Sequence, residues 1–133
     1  MYITRKDILE VLQRMQEFES KLANLFTDYD YNLRDNLGRR NMLLSAVQEK
    51  ETARVLRKKY ASVIDDGAPG RPDVVIEDIE KELECKLTSG SKSGGSVSFS
   101  LQTDYATLKN KGSLDYLFIL SNNNFDEFCV IFF

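Results

Sequence analysis

The residues Arg71-Pro72-Asp73-Val74-Val75-Ile76, followed a few positions later by Leu83-Glu84-Cys85-Lys86-Leu87, decide how this chain folds. In the second segment Glu82, Glu84, Lys86 and Thr88 alternate with Leu83, Cys85 and Leu87. A β-strand has a side-chain period of two, so this alternation sends the polar residues to one face and the apolar ones to the other. The Val-Val-Ile run reads as a second strand, and the turn-compatible residues between the two join them as a hairpin. Glu84 and Lys86 then point the same way, beside the Asp73 that opens the neighbouring strand. Two acids and an amine on one sheet face can bind a divalent cation and still keep a positive charge for a water or a phosphate.

Upstream, Asn41 to Tyr60 contains no Pro or Gly and carries Met42, Ala46, Ala53, Leu56 and Tyr60 at helical intervals, which predicts one apolar stripe on a helix. Glu49 lies in that stripe, whereas Glu51 falls off it. An acid on the buried face of a helix is costly unless it is paired or binds metal. The stretch from Arg34 to Tyr60, which includes this helix, is basic: Arg34, Arg39, Arg40, Lys50, Arg54, Arg57, Lys58 and Lys59 oppose only Asp35, Glu49 and Glu51, while Ala61 to Glu84 is strongly acidic. Such a helix is suited to tracking phosphates while the acidic stretch contains the cation site. Its other use is a solvated face with charges at pairing distance.

The Pro-Asp, spacer, Glu-x-Lys pattern of Asp73, Glu84 and Lys86 resembles the PD-(D/E)XK nuclease superfamily, which includes type II restriction endonucleases and archaeal Holliday junction resolvases. In the resolvase-like branch the preceding helix supplies a further carboxylate, and a Leu two turns on leads through basic residues into a loop; Glu49, Leu56 and Arg57-Lys58-Lys59 match that layout. The resemblance implies an α/β restriction endonuclease-like αβββαβ core, here with an additional N-terminal helix. It implies a Mg2+-dependent DNA endonuclease, with Mn2+ as a substitute, that leaves a 5'-phosphate and a 3'-hydroxyl. Asp73, Glu84, the main-chain carbonyl of Cys85 and Glu49 would hold the metal, and Lys86 would orient or deprotonate the attacking water. Gln102, followed one turn later by Tyr105, is similar to a pair in RecB-like nucleases and would orient the metal water or a phosphate. Arg54, Arg57, Lys58 and Lys92 are the expected DNA contacts. Restriction-type cutting is the first expectation and junction resolution the alternative; a catalytically silent module or fragment that acts through a partner is the reading from another class.

The rest of the chain falls into a simple order. Thr4 to about Phe26 is an amphipathic helix with Thr4 as N-cap, and Thr27 to Gly38 is a connector before the basic helix. After the hairpin, Ser89 to Ser96 reads as a flexible loop on composition. Val97 to Leu101 then reads as strand, Thr103 to Lys111 as helix, and Tyr116 to Leu120 and Glu127 to Phe133 as strands. Residues 1–133 form one expected domain, with 1–33 an N-terminal helical extension and connector and 34–133 the catalytic core. The first helix packs on the back of the sheet or forms the seam of a homodimer.

Composition limits the chemistry. With 133 residues, 42% of them hydrophobic, the chain can bury a core of its own. No apolar run is long enough to cross a bilayer, and the N-terminus has no apolar secretory segment, which together imply a cytoplasmic protein with no membrane partner. Cys85 and Cys129 belong to no CxxC pair and read as reduced strand residues. The chain has no histidine, which excludes Ser-His-Asp and Cys-His catalysis and leaves carboxylates, lysine and metal.

Overall fold

The computed structural model describes residues 1–89, 91–93, 96–98 and 114–133. Helix α1 spans Arg5–Asp28. Its start is fixed by a capping box in which the Asp7 N–H donates to the Thr4 hydroxyl and the Thr4 N–H to the Asp7 carboxylate. Helix α2 spans Leu37–Leu56 and is capped by Asn36, whose side chain accepts the Arg39 N–H at 3.0 Å. It ends four residues earlier than the periodicity predicts. Arg57, Lys58, Lys59 and Tyr60 form a closing turn, with their N–H groups bonded back to the carbonyls of Ala53, Val55 and Leu56. The basic run therefore sits at the helix C-terminus, where the peptide dipoles favour cations.

The stripe of α2 is rotated from the predicted one. Met42 is 73% exposed and Ala46 is also exposed, while Arg40, Asn41, Leu44, Gln48, Thr52, Ala53, Val55 and Leu56 are buried. Four of those eight are polar, and this conceals the true stripe from a hydrophobicity count. Three of the four hydrogen-bond inside: Gln48, for example, donates to the Leu117 carbonyl at 3.0 Å.

The strands are β1 (Val63–Ile64), β2 (Val74–Ile76), β3 (Lys81–Thr88), β4 (Ser91–Ser93), β5 (Ser96–Ser98), β6 (Asp115–Ser121) and β7 (Phe128–Phe132). A mixed five-stranded sheet runs in the order β1-β2-β3-β6-β7, with β3 and β6 parallel and the other neighbours antiparallel. β4 and β5 form a separate two-stranded ladder. One expectation is corrected here: the Gly-Ser stretch contains a strand at 91–93 in place of a loop; the strand expected over Val97 to Leu101 is present at Ser96–Ser98 and pairs with it, and residues 99–101 lie outside the described residues. Local ladder pairing has overridden a composition that favours neither strand. The expected helix at Thr103 to Lys111 lies outside the described residues.

The chain is thus a mixed α/β protein with both helices on one face of the sheet. Leu83, Cys85, Val74, Ile76 and Leu117 pack against Ala53 and Leu56 of α2, while Leu44 and Val55 meet Val11, Met15, Ile119 and Phe125. Full burial of a side chain such as Leu83 contributes about 1.5–3 kcal/mol. From α1, Val11 and Met15 are buried in this packing and Ile8, Leu12 and Leu22 are partly buried, while Leu9, Phe18 and Leu25 are exposed. Ion pairs of Arg14 with Glu51, Arg54 and Lys58 with Glu10, and Lys59 with Asp7 border that packing. Among the described residues no helix is long and apolar enough to cross a membrane.

Candidate active site

The β2–β3 hairpin closes through a short 3-10 turn, Glu77–Ile79, and a left-handed Glu80 at φ 52°. Val74 pairs with Leu83, so one step further Asp73 stands beside Glu84. Because Leu83 and Cys85 face the helices, Glu84 and Lys86 alternate onto the opposite face, while Asp73 precedes β2 at the end of the strand. The Cys85 N–H donates to Asp73 Oδ2 at 2.8 Å, which holds the aspartate against β3. Lys86 Nζ donates to Glu84 Oε1, also at 2.8 Å, and Glu84 is only 9% exposed.

Glu49 reaches this pair from α2 and is in hydrogen-bond contact with Asp73. Burial, then the charges of Asp73 and Glu84, push the Glu49 carboxyl from its ordinary 4.5 up to about 7. Burial also raises Asp73, with Glu84 adding to the effect and the Cys85 N–H opposing it. The Glu49–Asp73 contact therefore holds a proton near neutral pH that either carboxylate alone would release. The Cys85 thiol is on the helix side, pushed far up by burial, and stays neutral and inert.

Among the described residues no three carboxylates or thiols yet surround one point as a ready ligand set. Asp73 and Glu84 are held by donors of the protein itself, the Cys85 N–H and the Lys86 amine. The donor chemistry nevertheless fits a hard divalent cation. Mg2+ takes oxygen ligands, is satisfied by one or two carboxylates with waters and phosphate completing its shell, and relieves the repulsion that raises Glu49 and Asp73.

The cations expected to meet DNA are engaged inside the protein. Arg54 donates to Glu51 at 2.6 Å and to Glu10, Arg57 to Asp65 at 2.7 Å and to the Val63 carbonyl at 2.9 Å, and Lys58 to Glu10. A phosphate must compete with those acids. Lys92 lies on β4, and Gln102 and Tyr105 lie outside the described residues.

A buried polar hub escaped the sequence. Arg40 is 0% exposed and donates to Asn41, Ser89, Ser121 and the carbonyls of Asn122 and Asn123, with its guanidinium 5.0 Å from the Phe125 ring centre. Glu19, 1% exposed, accepts two bonds of 2.8 Å from Arg34 and lies 3.9 Å from Arg40. The hub ties the start of α2 to the ends of β3 and β6 and so fixes the strand that carries Glu84 and Lys86. The apolar stripe read from the sequence put Arg40 on the opposite side of the helix, and its charge also argued against burial. No protein-family model, curated protein or solved structure matches this chain.

Proposed function

We propose that this chain is a Mg2+-dependent DNA endonuclease with a restriction endonuclease-like core, most similar in its motif to restriction enzymes of the PD-(D/E)XK superfamily. The supporting observation is that three elements bring Glu49, Asp73 and Glu84 together beside Lys86. Asp73 and Glu84 would hold the ion with the Cys85 carbonyl, and Glu49 would complete the acidic cluster. A bound Mg2+ polarises the phosphoryl oxygen and makes water more acidic.

The side chains do the rest. Lys86, released from Glu84, orients the attacking water and offsets charge that grows on the phosphate oxygens. Glu49, poised near neutrality, can accept or return a proton in the same place. The positive ends of Arg54, Arg57 and Lys58 become phosphate contacts once exchanged from their acidic partners.

The test is to incubate supercoiled plasmid, linear duplex and a synthetic four-way junction with the protein in Mg2+, Mn2+ or EDTA, alongside Lys86→Ala. Metal-dependent cutting that falls at least about a hundredfold in the variant supports the nuclease. Discrete plasmid bands mark restriction, and paired nicks confined to the junction mark resolution. A folded protein that cuts none of the substrates would refute the assignment and favour a silent module.

A further inference from the structure

The register of the sheet determines what stands beside the acid–lysine pair. β3 and β6 run parallel with Glu84 opposite Tyr116 and Lys86 opposite Phe118, and β6 then sets Phe118 opposite Ile131 of β7. One residue beyond, Tyr116 and Phe133 exchange both main-chain hydrogen bonds, at 2.7 and 3.1 Å. On the face turned away from α1 and α2, one row therefore runs Glu84, Tyr116, Phe133 and the next runs Lys86, Phe118, Ile131. The Tyr116 and Phe133 rings are stacked, with centroids 5.4 Å apart and planes 17° from parallel.

Among the described residues, packing against α1 and α2 does not account for this pair. Phe133 is 51% exposed and Ile131 is also exposed, although Phe118 between Ile131 and Lys86 is buried, whereas Leu117 and Phe132 of the same strands pack toward the helices. The paired main-chain bonds hold the two residues side by side across the ladder, and the rings stack on each other without a ligand. Adjacent strands lie about 4.8 Å apart, so the two rings stand roughly 5 and 10 Å from Glu84, the scale of one nucleotide from phosphate to base.

We propose that Tyr116 and Phe133 form a stacking platform for an unpaired nucleobase next to the scissile phosphate, an inference that rests on the nuclease function proposed above. Every base has a flat π-face that stacks on such rings without regard to sequence. Inside a duplex that face is covered by its neighbours, so the platform selects a frayed, single-stranded or flipped nucleotide. The substrate class narrows accordingly to DNA with an unpaired position at the cut.

The probe is a short single strand with 2-aminopurine at successive positions, titrated in EDTA so that binding is read without cleavage. The fluorescence should be quenched at one position. Stacking on one ring corresponds to about a 5- to 150-fold change in affinity, so Phe133→Ala should weaken binding by that factor, Phe133→Tyr should restore it, and Tyr116→Leu should act like Phe133→Ala. Circular dichroism of each variant checks the fold. Metal-dependent cutting by a wild-type protein that binds the strand without quenching, and as tightly as Phe133→Ala does, overturns the platform and leaves the nuclease standing. Absence of both cutting and binding removes both. If Phe133→Ala converts a sedimenting dimer to monomer with oligonucleotide affinity unchanged, the face is a contact between copies and the platform is again overturned.

Discussion

Replacing Glu49 by Gln should make the protein more stable at alkaline pH, although it removes a residue of the proposed active site. The folded carboxyl titrates near 7 and its ordinary value is 4.5. Below the lower value both states are protonated and the group contributes no pH dependence. As pH rises from there through about 7, the unfolded chain releases its proton while the folded chain keeps it, and folding loses stability. By linkage the full separation corresponds to at most about 3 kcal/mol, and solvent screening at a half-buried site reduces this to about 1–2 kcal/mol. Gln carries no charge and its amide can still donate to Asp73. Urea unfolding of both proteins in EDTA should therefore show similar stability near pH 5 and a gain of about 1–2 kcal/mol for Glu49→Gln near pH 8. Added Mg2+ should narrow the gap by stabilising the wild type more. A difference that does not change with pH, or a variant that is weaker near pH 8 than near pH 5, would refute the crowding of carboxylates described above.

Two further substitutions test the interior. Arg40→Ala leaves the Glu19 carboxylate and several carbonyls of the hub without a buried cation, and should cost about 3–5 kcal/mol in urea unfolding; a loss under about 1 kcal/mol would show that the hub relaxes into solvent. The Thr52 hydroxyl is fully buried with, among the described residues, only the Cys85 thiol as a weak neighbour, so Thr52→Val should be neutral or stabilising by up to about 1 kcal/mol, and a clear destabilisation would reveal a stronger partner.

The parts of this fold that could be read from the sequence are those in which apolar and polar residues separate cleanly. Thr4 and Asp7 marked the start of α1, and the alternation through Leu83 to Leu87 placed β3 and its two faces. The face of α2 was misread because Arg40, Asn41, Gln48 and Thr52 point inward and their partners come from strands more than thirty residues away. The pairing of Arg54 and Lys58 with Glu10 is likewise tertiary, joining residues 44 and 48 positions apart. β1, two residues long, gave no periodic signal, and the Ser-rich ladder of β4 and β5 had a composition that belongs equally to loops. At the candidate site, the residue types were legible and the details of their engagement were not: the Lys86–Glu84 ion pair and the Cys85 N–H bond to Asp73 depend on distances that only the folded hairpin sets.

Strand β3 supplies the core with Leu83 and Cys85 and the candidate site with Glu84 and Lys86, through opposite faces of the same eight residues. Point substitutions can therefore change the chemistry while leaving the packing intact, or the reverse. A change of length behaves differently. Inserting or deleting one residue between Lys81 and Glu84 exchanges the two sets, turning the acid toward the helices and the leucine toward solvent. Chains descended from this one can accordingly lose or retune the site one side chain at a time, but within this strand they cannot gain or lose a single residue without giving up fold and site together.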